Sequence, residues 1–372
     1  MMIDSLRYVV ALQLLPEVGL RTAKALIEYF GDAQSVFTVS QDDLSAIPNI
    51  RKDAVIKLMS GRQAALARAD KEVDFIEKNA IETLYFQDDD YPYRLRECID
   101  APIVLFRKGN FQVNEGKYLA IVGTRMPTDN GKQICKDIVA ELAQRVNELT
   151  IVSGLAYGID VTAHKAAIDA GIPTIIIPGH GLDRIYPYAN RQVAVDATCN
   201  NGGILTEYIS GTQPDRQNFI ARNRIIAGLC DATLVVESKT KGGSLITADM
   251  ANGYSREVFA IPGRISDPSS AGCNKLIKRH QALLVESADD IIDAMQWESK
   301  KTEPVQTEIF LDLTDDEAQI LDMLRKTEDG LHVNIIVMET EKPYSLITAT
   351  LMMMELKGLV RSLPGSIYKA AK

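Results

Sequence analysis

Tyr118-Leu119-Ala120-Ile121-Val122-Gly123-Thr124-Arg125 sets five apolar residues before a glycine turn that ends in a cation. So short and apolar a run reads as a β-strand covered by helices on both faces. Similar bursts recur at 150–152, 174–177, 204–207, 233–236 and 258–261, with helix-length segments between them. The alternation predicts an α/β, doubly wound parallel sheet. In such a sheet the turns that follow the strands share one edge, where ligands bind.

The composition of those turns points to an anionic ligand. The second burst ends in Ser153-Gly154-Leu155-Ala156-Tyr157-Gly158, the third in Pro178-Gly179-His180-Gly181 and the fifth in Lys241-Gly242-Gly243-Ser244. Glycine lets a ligand approach the backbone, and the first N–H groups of a helix are free to bind anions. Four such turns predict a row of phosphate-sized sockets, with Gly123, Thr124, Arg125, Ser153, Gly154, Gly243 and Ser244 as candidate contacts. Neither Gly-x-Gly-x-x-Gly after the first strand nor a Gly-x-x-x-x-Gly-Lys-Ser/Thr loop is present, which argues against dinucleotide cofactors and ATP hydrolysis. No cofactor is expected.

The formal net charge is −9, which argues against non-specific coating of nucleic acid, yet phosphate binding depends on local fields. Arg216, Arg222 and Arg224 fall within nine positions, with Phe219 and Asn223 among them. Cations for phosphates and a ring face for a base are what a single-stranded nucleic acid site needs. Phe219 reads equally as a core residue with the arginines as a solvated face. Lys239, Lys241, Arg264, Lys275, Lys278 and Arg279 add positive charge near the same edge.

At this point the sequence resembles the DNA-processing protein A (DprA/Smf) family. The resemblance rests on Ile121-Val122-Gly123-Thr124-Arg125, on Ser153-Gly154-Leu155-Ala156-Tyr157-Gly158-Ile159-Asp160-Val161-Thr162-Ala163-His164, and on Tyr186-Pro187-Tyr188-Ala189-Asn190. It continues through Phe219-Ile220-Ala221-Arg222-Asn223-Arg224-Ile225-Ile226, Gly243-Ser244-Leu245-Ile246-Thr247-Ala248, Pro262-Gly263 and Gly272-Cys273-Asn274-Lys275-Leu276-Ile277, spanning 87–293. The resemblance implies an extended Rossmann-like domain that binds single-stranded DNA, dimerises, and loads the recombinase RecA onto strands coated by single-strand-binding protein during natural transformation. It implies no enzyme activity. Carried over by motif, Arg125 holds a phosphate, Ser153 and Gly154 donate further bonds, and Phe219, Arg222, Asn223 and Arg224 form the rim. Arg216 and Lys275 add charge. Family members often carry serine where this chain has Thr124 and proline where it has Ile220. The late sheet region, 261–295, is the expected homodimer surface, with Leu276, Ile277, Leu283, Leu284, Ile291 and Ile292 as its apolar supply.

The flanks divide the chain further. Residues 1–80 read as short helices, at 6–15, 22–29, 55–59 and 64–76, in a helix-hairpin-helix or SAM-like domain. Its hairpin at Val18-Gly19-Leu20 lies near Arg21 and Lys24, and a weaker second copy runs through 47–52. Residues 81–297 form the extended Rossmann-like domain, with 81–110 as an entry segment. The polar stretch 298–310 reads as a linker, and 311–372 as a winged helix with helices near 315–325, 332–338 and 345–357. Its third helix carries Lys357 as sole cation, so protein contact is favoured over groove readout.

Two further readings compete. A nucleotide phosphoribohydrolase of the lysine-decarboxylase-like Rossmann group resembles this chain at Lys241-Gly242-Gly243-Ser244-Leu245-Ile246-Thr247-Ala248-Asp249, but the threonine is displaced and an aspartate replaces the expected glutamate. Asp160 and His164, four apart at a helix start, share a face. They read most simply as a helix N-cap with its hydrogen-bonding neighbour, alternatively as DNA-adjacent residues, or as a base with its orienter or two metal ligands without an evident third. The five cysteines show no Cys-x-x-Cys spacing and the four histidines are scattered, so no metal site is expected. No apolar run approaches membrane-spanning length and the N-terminus lacks signal-peptide features, so the chain reads as cytoplasmic.

Overall fold

Successive side chains of a strand point to opposite faces, and the decisive burst uses both. Tyr118, Ala120 and Val122 join the core made with Ile225, Ile226, Leu229, Ala248 and Ala251. Leu119 and Ile121 join the opposite core, with Cys135, Ile138, Leu142, Ile159 and Ala163. This is the two-sided burial that an uncharged strand requires. The computed structural model describes residues 3–47, 52–297, 314–327 and 330–370.

The main sheet contains β1 (Glu82–Tyr85), β2 (Val104–Gly109), β3 (Lys117–Val122), β4 (Leu149–Ser153), β5 (Thr174–Ile176), β6 (Gly203–Thr206), β7 (Ala232–Val235), β8 (Glu257–Ala260) and β9 (Leu283–Leu284). Their order is β1-β2-β6-β5-β4-β3-β7-β8-β9. All neighbours from β6 to β9 pair parallel, whereas β1 and β2 extend the β6 edge antiparallel. The six strands anticipated from apolar bursts appear within one residue at each end.

The expected entry segment at 81–110 instead contains β1 and β2. Their register sets Leu84 opposite Leu105 and Glu82 opposite Arg107, which form an ion pair. Residues 86–103 separate the two strands, so no local hairpin signal marks them. β9 was also unanticipated: two residues are too few to carry a period.

The N-terminal helices, Ile3–Gln13, Leu20–Phe30, Ala33–Thr38, Gln41–Ser45 and Lys52–Lys78, share one core with Ile103, Val104 and Phe106. The last of them is continuous where the sequence predicts two pieces. Ser60-Gly61 interrupts the apolar pattern without breaking the helix, because Gly61 is a contact: a Cβ there would lie 2.7 Å from Pro16 Cδ. Lys24, expected near a phosphate-binding hairpin, lies half-buried with its ammonium 5.7 Å from the Phe86 ring centroid. Of the weaker copy at 47–52, the stretch 48–51 lies outside the described residues.

By compactness the chain divides into Met1–Thr302 and Glu303–Lys372. The anticipated linker at 298–310 lies outside the described residues. The second unit packs helices Asp315–Arg325, Val333–Thr340 and Tyr344–Leu356 with β10 (Leu331–His332), β11 (Val360–Leu363) and β12 (Ile367–Ala370). Ile320, Leu324, Ile336, Ile347 and Leu351 form its core. The third helix exposes Tyr344, Leu346, Met352 and Met353, while Lys357, just past its end, is held by Glu317 at 2.6 Å. Among the described residues no helix is long and apolar enough to cross a membrane.

Candidate nucleic-acid interface

A buried helix N-terminus needs an acceptor for its free N–H groups, and this sheet edge supplies most of its own. After β3, Glu237 accepts from Thr128 N at 2.9 Å and from Thr128 Oγ1 at 2.5 Å, at the start of helix Asp129–Arg145. A Cβ on Gly131 would collide with that carboxylate, so the glycine admits it. After β4, Asp160 lies buried in the first turn of helix Ile159–Asp169, 3.8 Å from the Arg222 guanidinium. After β5, Gly179 abuts Phe219, whose Cδ1 would lie 2.8 Å from an added Cβ. After β7, Gly243 faces open space at the start of helix Gly243–Gly253. The row of four equivalent sockets is thereby corrected: two hold internal carboxylates, one is met by a ring, and the fourth is open.

The arginine cluster separates in the same way. Arg222 is buried, with Nη1 donating to Gly154 O at 2.7 Å and to Ile177 O, and Nε donating to Asn223 Oδ1 at 2.9 Å. Gly154 is required because a Cβ would lie 2.1 Å from that guanidinium. Arg224 is buried in an ion pair with Glu207. Ser153 donates to Ile121 O at 2.6 Å, fully buried, and Ser244 donates to Ser238 Oγ at 2.9 Å. The sequence places Ser153, Gly154, Arg222, Arg224 and Ser244 against DNA; their polar groups are engaged inside the protein. Gly123 is likewise a packing position, since a Cβ would lie 2.5 Å from Ile159 Cγ1.

Asp160 and His164 do not bond to each other. The N-cap is Gly158, and burial raises the Asp160 carboxyl above its ordinary range against the opposing pull of Arg222. His164 Nδ1 lies 2.7 Å from Thr174 Oγ1, whose proton goes to Ile151 O at 2.9 Å. The imidazole therefore donates from Nδ1. Burial, aided by Arg222, lowers its pKa to about 3, so it is neutral near pH 7. Among the described residues no group of three potential metal ligands occurs.

What remains open is a cleft of about 700 Å³ lined by Arg125, Arg216, Phe219, Lys241, Gly243 and Lys275, among others. Thr124 Oγ1 accepts from Met126 N at 3.3 Å, bending the turn that presents Arg125. The Arg125 guanidinium stands 5.8 Å from the Phe219 ring centroid, and Tyr186 stacks on that ring at 5.7 Å and 28°. Asp215 caps helix Arg216–Ala221 by accepting from Asn218 N at 2.8 Å, which sets Arg216 and Phe219 three apart on one face. Arg125, Arg216, Lys239, Lys241 and Lys275 are exposed and form no ion pair among the described residues. Sequence reasoning missed Tyr186 as a site residue, although its Tyr-Pro-Tyr setting between two β-strands was a visible signal.

The family model for DNA recombination-mediator protein A matches residues 82–296. The chain belongs to this family. A second family model, the DprA winged helix domain, matches 307–366. DNA processing protein DprA of Streptococcus pneumoniae is 46% identical over 210 residues, which is 56% of this chain and 73% of the relative. The Bacillus subtilis DprA is 40% identical over 219 residues, 59% and 72% of the two chains. The solved S. pneumoniae DprA structure aligns with a TM-score of 0.65 at 36% identity, covering 77% of this chain and 97% of that one. A Helicobacter pylori DNA processing protein A structure, described for its single-stranded DNA binding mode, aligns with a TM-score of 0.52 at 31% identity over 58% of this chain and 95% of that one. The open cleft thus belongs to a DNA recombination mediator of the DprA/Smf family.

Proposed function

We propose that the protein binds single-stranded DNA in the cleft beside Arg125 and loads RecA onto strands coated by single-strand-binding protein, acting as a homodimer and without catalysis. One observation carries the DNA part: five exposed cations without ion-pair partners among the described residues line one cleft with Phe219, on whose ring Tyr186 stacks. Phosphates satisfy the cations, and a base satisfies the ring face. Arg125, Arg216, Lys239, Lys241 and Lys275 contact phosphates, the open turn at Gly243 offers backbone N–H groups, and Asn223 borders the path. RecA, single-strand-binding protein and transformation are supported by family membership.

The homodimer is supported by β9, the edge strand, where Leu283 and Leu284 are 51% and 48% exposed. Leu276, Ile291 and Ile292, expected on the same surface, are instead buried. The phosphoribohydrolase reading needs a carboxylate facing the sugar: of the acids that line the cleft, Asp160 is buried beside Arg222 and Asp249 is exposed, so release of free base from purine mononucleotides is the assay that tests it. A binding titration with labelled single- and double-stranded oligonucleotides over a salt series tests the proposal. Equal affinity for both forms overturns it.

A further inference from the structure

The sheet edge has two chemically distinct halves. Over β7 and β8 stand Lys239, Lys241 and Lys275, in the segments that follow those strands. Over β4 and β5 stand rings: Tyr157 is 51% exposed, Tyr186 48% and Tyr188 77%. Exposed rings on a tightly tied edge need explaining, because each leaves a large apolar face in water.

These rings sit on loops locked to one another. Asn190, buried, donates from Nδ2 to Leu155 O at 2.9 Å, tying the turn that carries Tyr188 to the turn that carries Tyr157. Ile159 N donates to Thr124 O at 3.2 Å, and Gly158 lies so close that a Cβ would sit 2.8 Å from Arg125 Cα. The Tyr157 turn is therefore packed on the turn that presents Arg125. Tyr186 joins the same assembly through its stack on Phe219 and by donating from its backbone N to His180 Nε2 at 3.2 Å. Arg191, exposed and without an ion pair among the described residues, follows Tyr188 by three positions. From β5 to β8 there are four inter-strand steps, roughly 19 Å at the usual spacing, enough for several nucleotides.

We propose that Tyr157 and Tyr188 form a base-stacking track that continues the DNA path beyond the cationic cleft. The polarity of the edge then divides the work: phosphates are gripped over β7 and β8, and bases are stacked over β4 and β5. This inference rests on the reading of the cleft as a single-stranded DNA site. Stacking tolerates any base, so the track adds length-dependent affinity without sequence preference.

The test uses the full chain, fluorescently labelled oligo-dT of about 4 and about 12 nucleotides, and the double variants Tyr157→Ala/Tyr188→Ala and Tyr157→Phe/Tyr188→Phe. The alanine pair should bind the longer oligonucleotide at least about tenfold more weakly than wild type. It should bind the shorter one as wild type does, with an unchanged salt slope and thermal midpoint. The phenylalanine pair should restore long-oligonucleotide affinity, since the ring face and not the hydroxyl does the stacking. Wild-type affinity for the longer oligonucleotide in the alanine pair overturns this inference alone. Absence of any single-strand binding by the wild type overturns the cleft reading and this inference with it.

Discussion

Arg125 keeps its guanidinium exposed above Phe219, whereas Arg222 spends its own on the carbonyls of Gly154 and Ile177 beside Asp160. The two substitutions should therefore separate binding from folding. Arg125→Ala should weaken single-strand binding by about 1.5–3 kcal/mol, the scale of a lost charge-assisted hydrogen bond, with an unchanged thermal midpoint. Arg222→Ala should destabilise the fold by about 3–5 kcal/mol in urea unfolding, because it leaves the Asp160 charge buried without its partner. Equal stability of the two variants refutes the distinction. His164 adds a pH dependence. Its pKa falls from 6.5 to about 3 on folding, so between those values the unfolded chain binds a proton that the folded one refuses. Its contribution is complete above pH 6.5 and is lost as pH falls. Asp160 carries the opposite sign, since burial raises its carboxyl from 3.8 and weakens its contribution as pH climbs above that value. Compared with His164→Asn, the wild type should lose about 2 kcal/mol more stability between pH 7 and pH 5; parallel profiles exclude this role.

At the scale of elements, β9 has β8 on one side and nothing beyond it in the sheet order. An edge strand with exposed leucines is a template for pairing with another chain. The double variant Leu283→Lys/Leu284→Glu should sediment as a monomer at concentrations where the wild type sediments as a dimer, with the fold intact because both side chains are half-exposed. A wild-type monomer at tens of micromolar excludes β9 as a dimer surface. The third helix of the second unit bears no cation along Tyr344–Leu356.

For the whole molecule, a net charge of −9 coexists with a cleft lined by Arg125, Arg216, Lys239, Lys241 and Lys275, because exposed charges more than about 8–10 Å apart are largely screened. Single-stranded DNA should bind more tightly than duplex, whose bases are stacked away from Phe219. The log–log salt slope should reach about −3.5 if all five cations engage phosphates, at ~0.7 each; a slope near zero rules out phosphate contact. Six of the strands, their direction and the edge at which their glycine turns lie were legible in the sequence, because short apolar bursts followed by turns have one economical burial. Arg125 was legible too, since a residue directly after a strand and its glycine emerges at that edge. The division among Arg125, Arg222 and Arg224 was not: all three are arginines in family motifs, and their different fates depend on Gly154, Ile177, Asp160 and Glu207, up to 68 positions away. The same holds for Glu237, which fills a helix start more than a hundred residues earlier, and for β1 and β2, whose pairing follows no local period. Local pattern determined which segments fold into the sheet. Only tertiary structure decided which polar groups on its edge are already satisfied, because a buried charge takes whatever partner packing brings within reach.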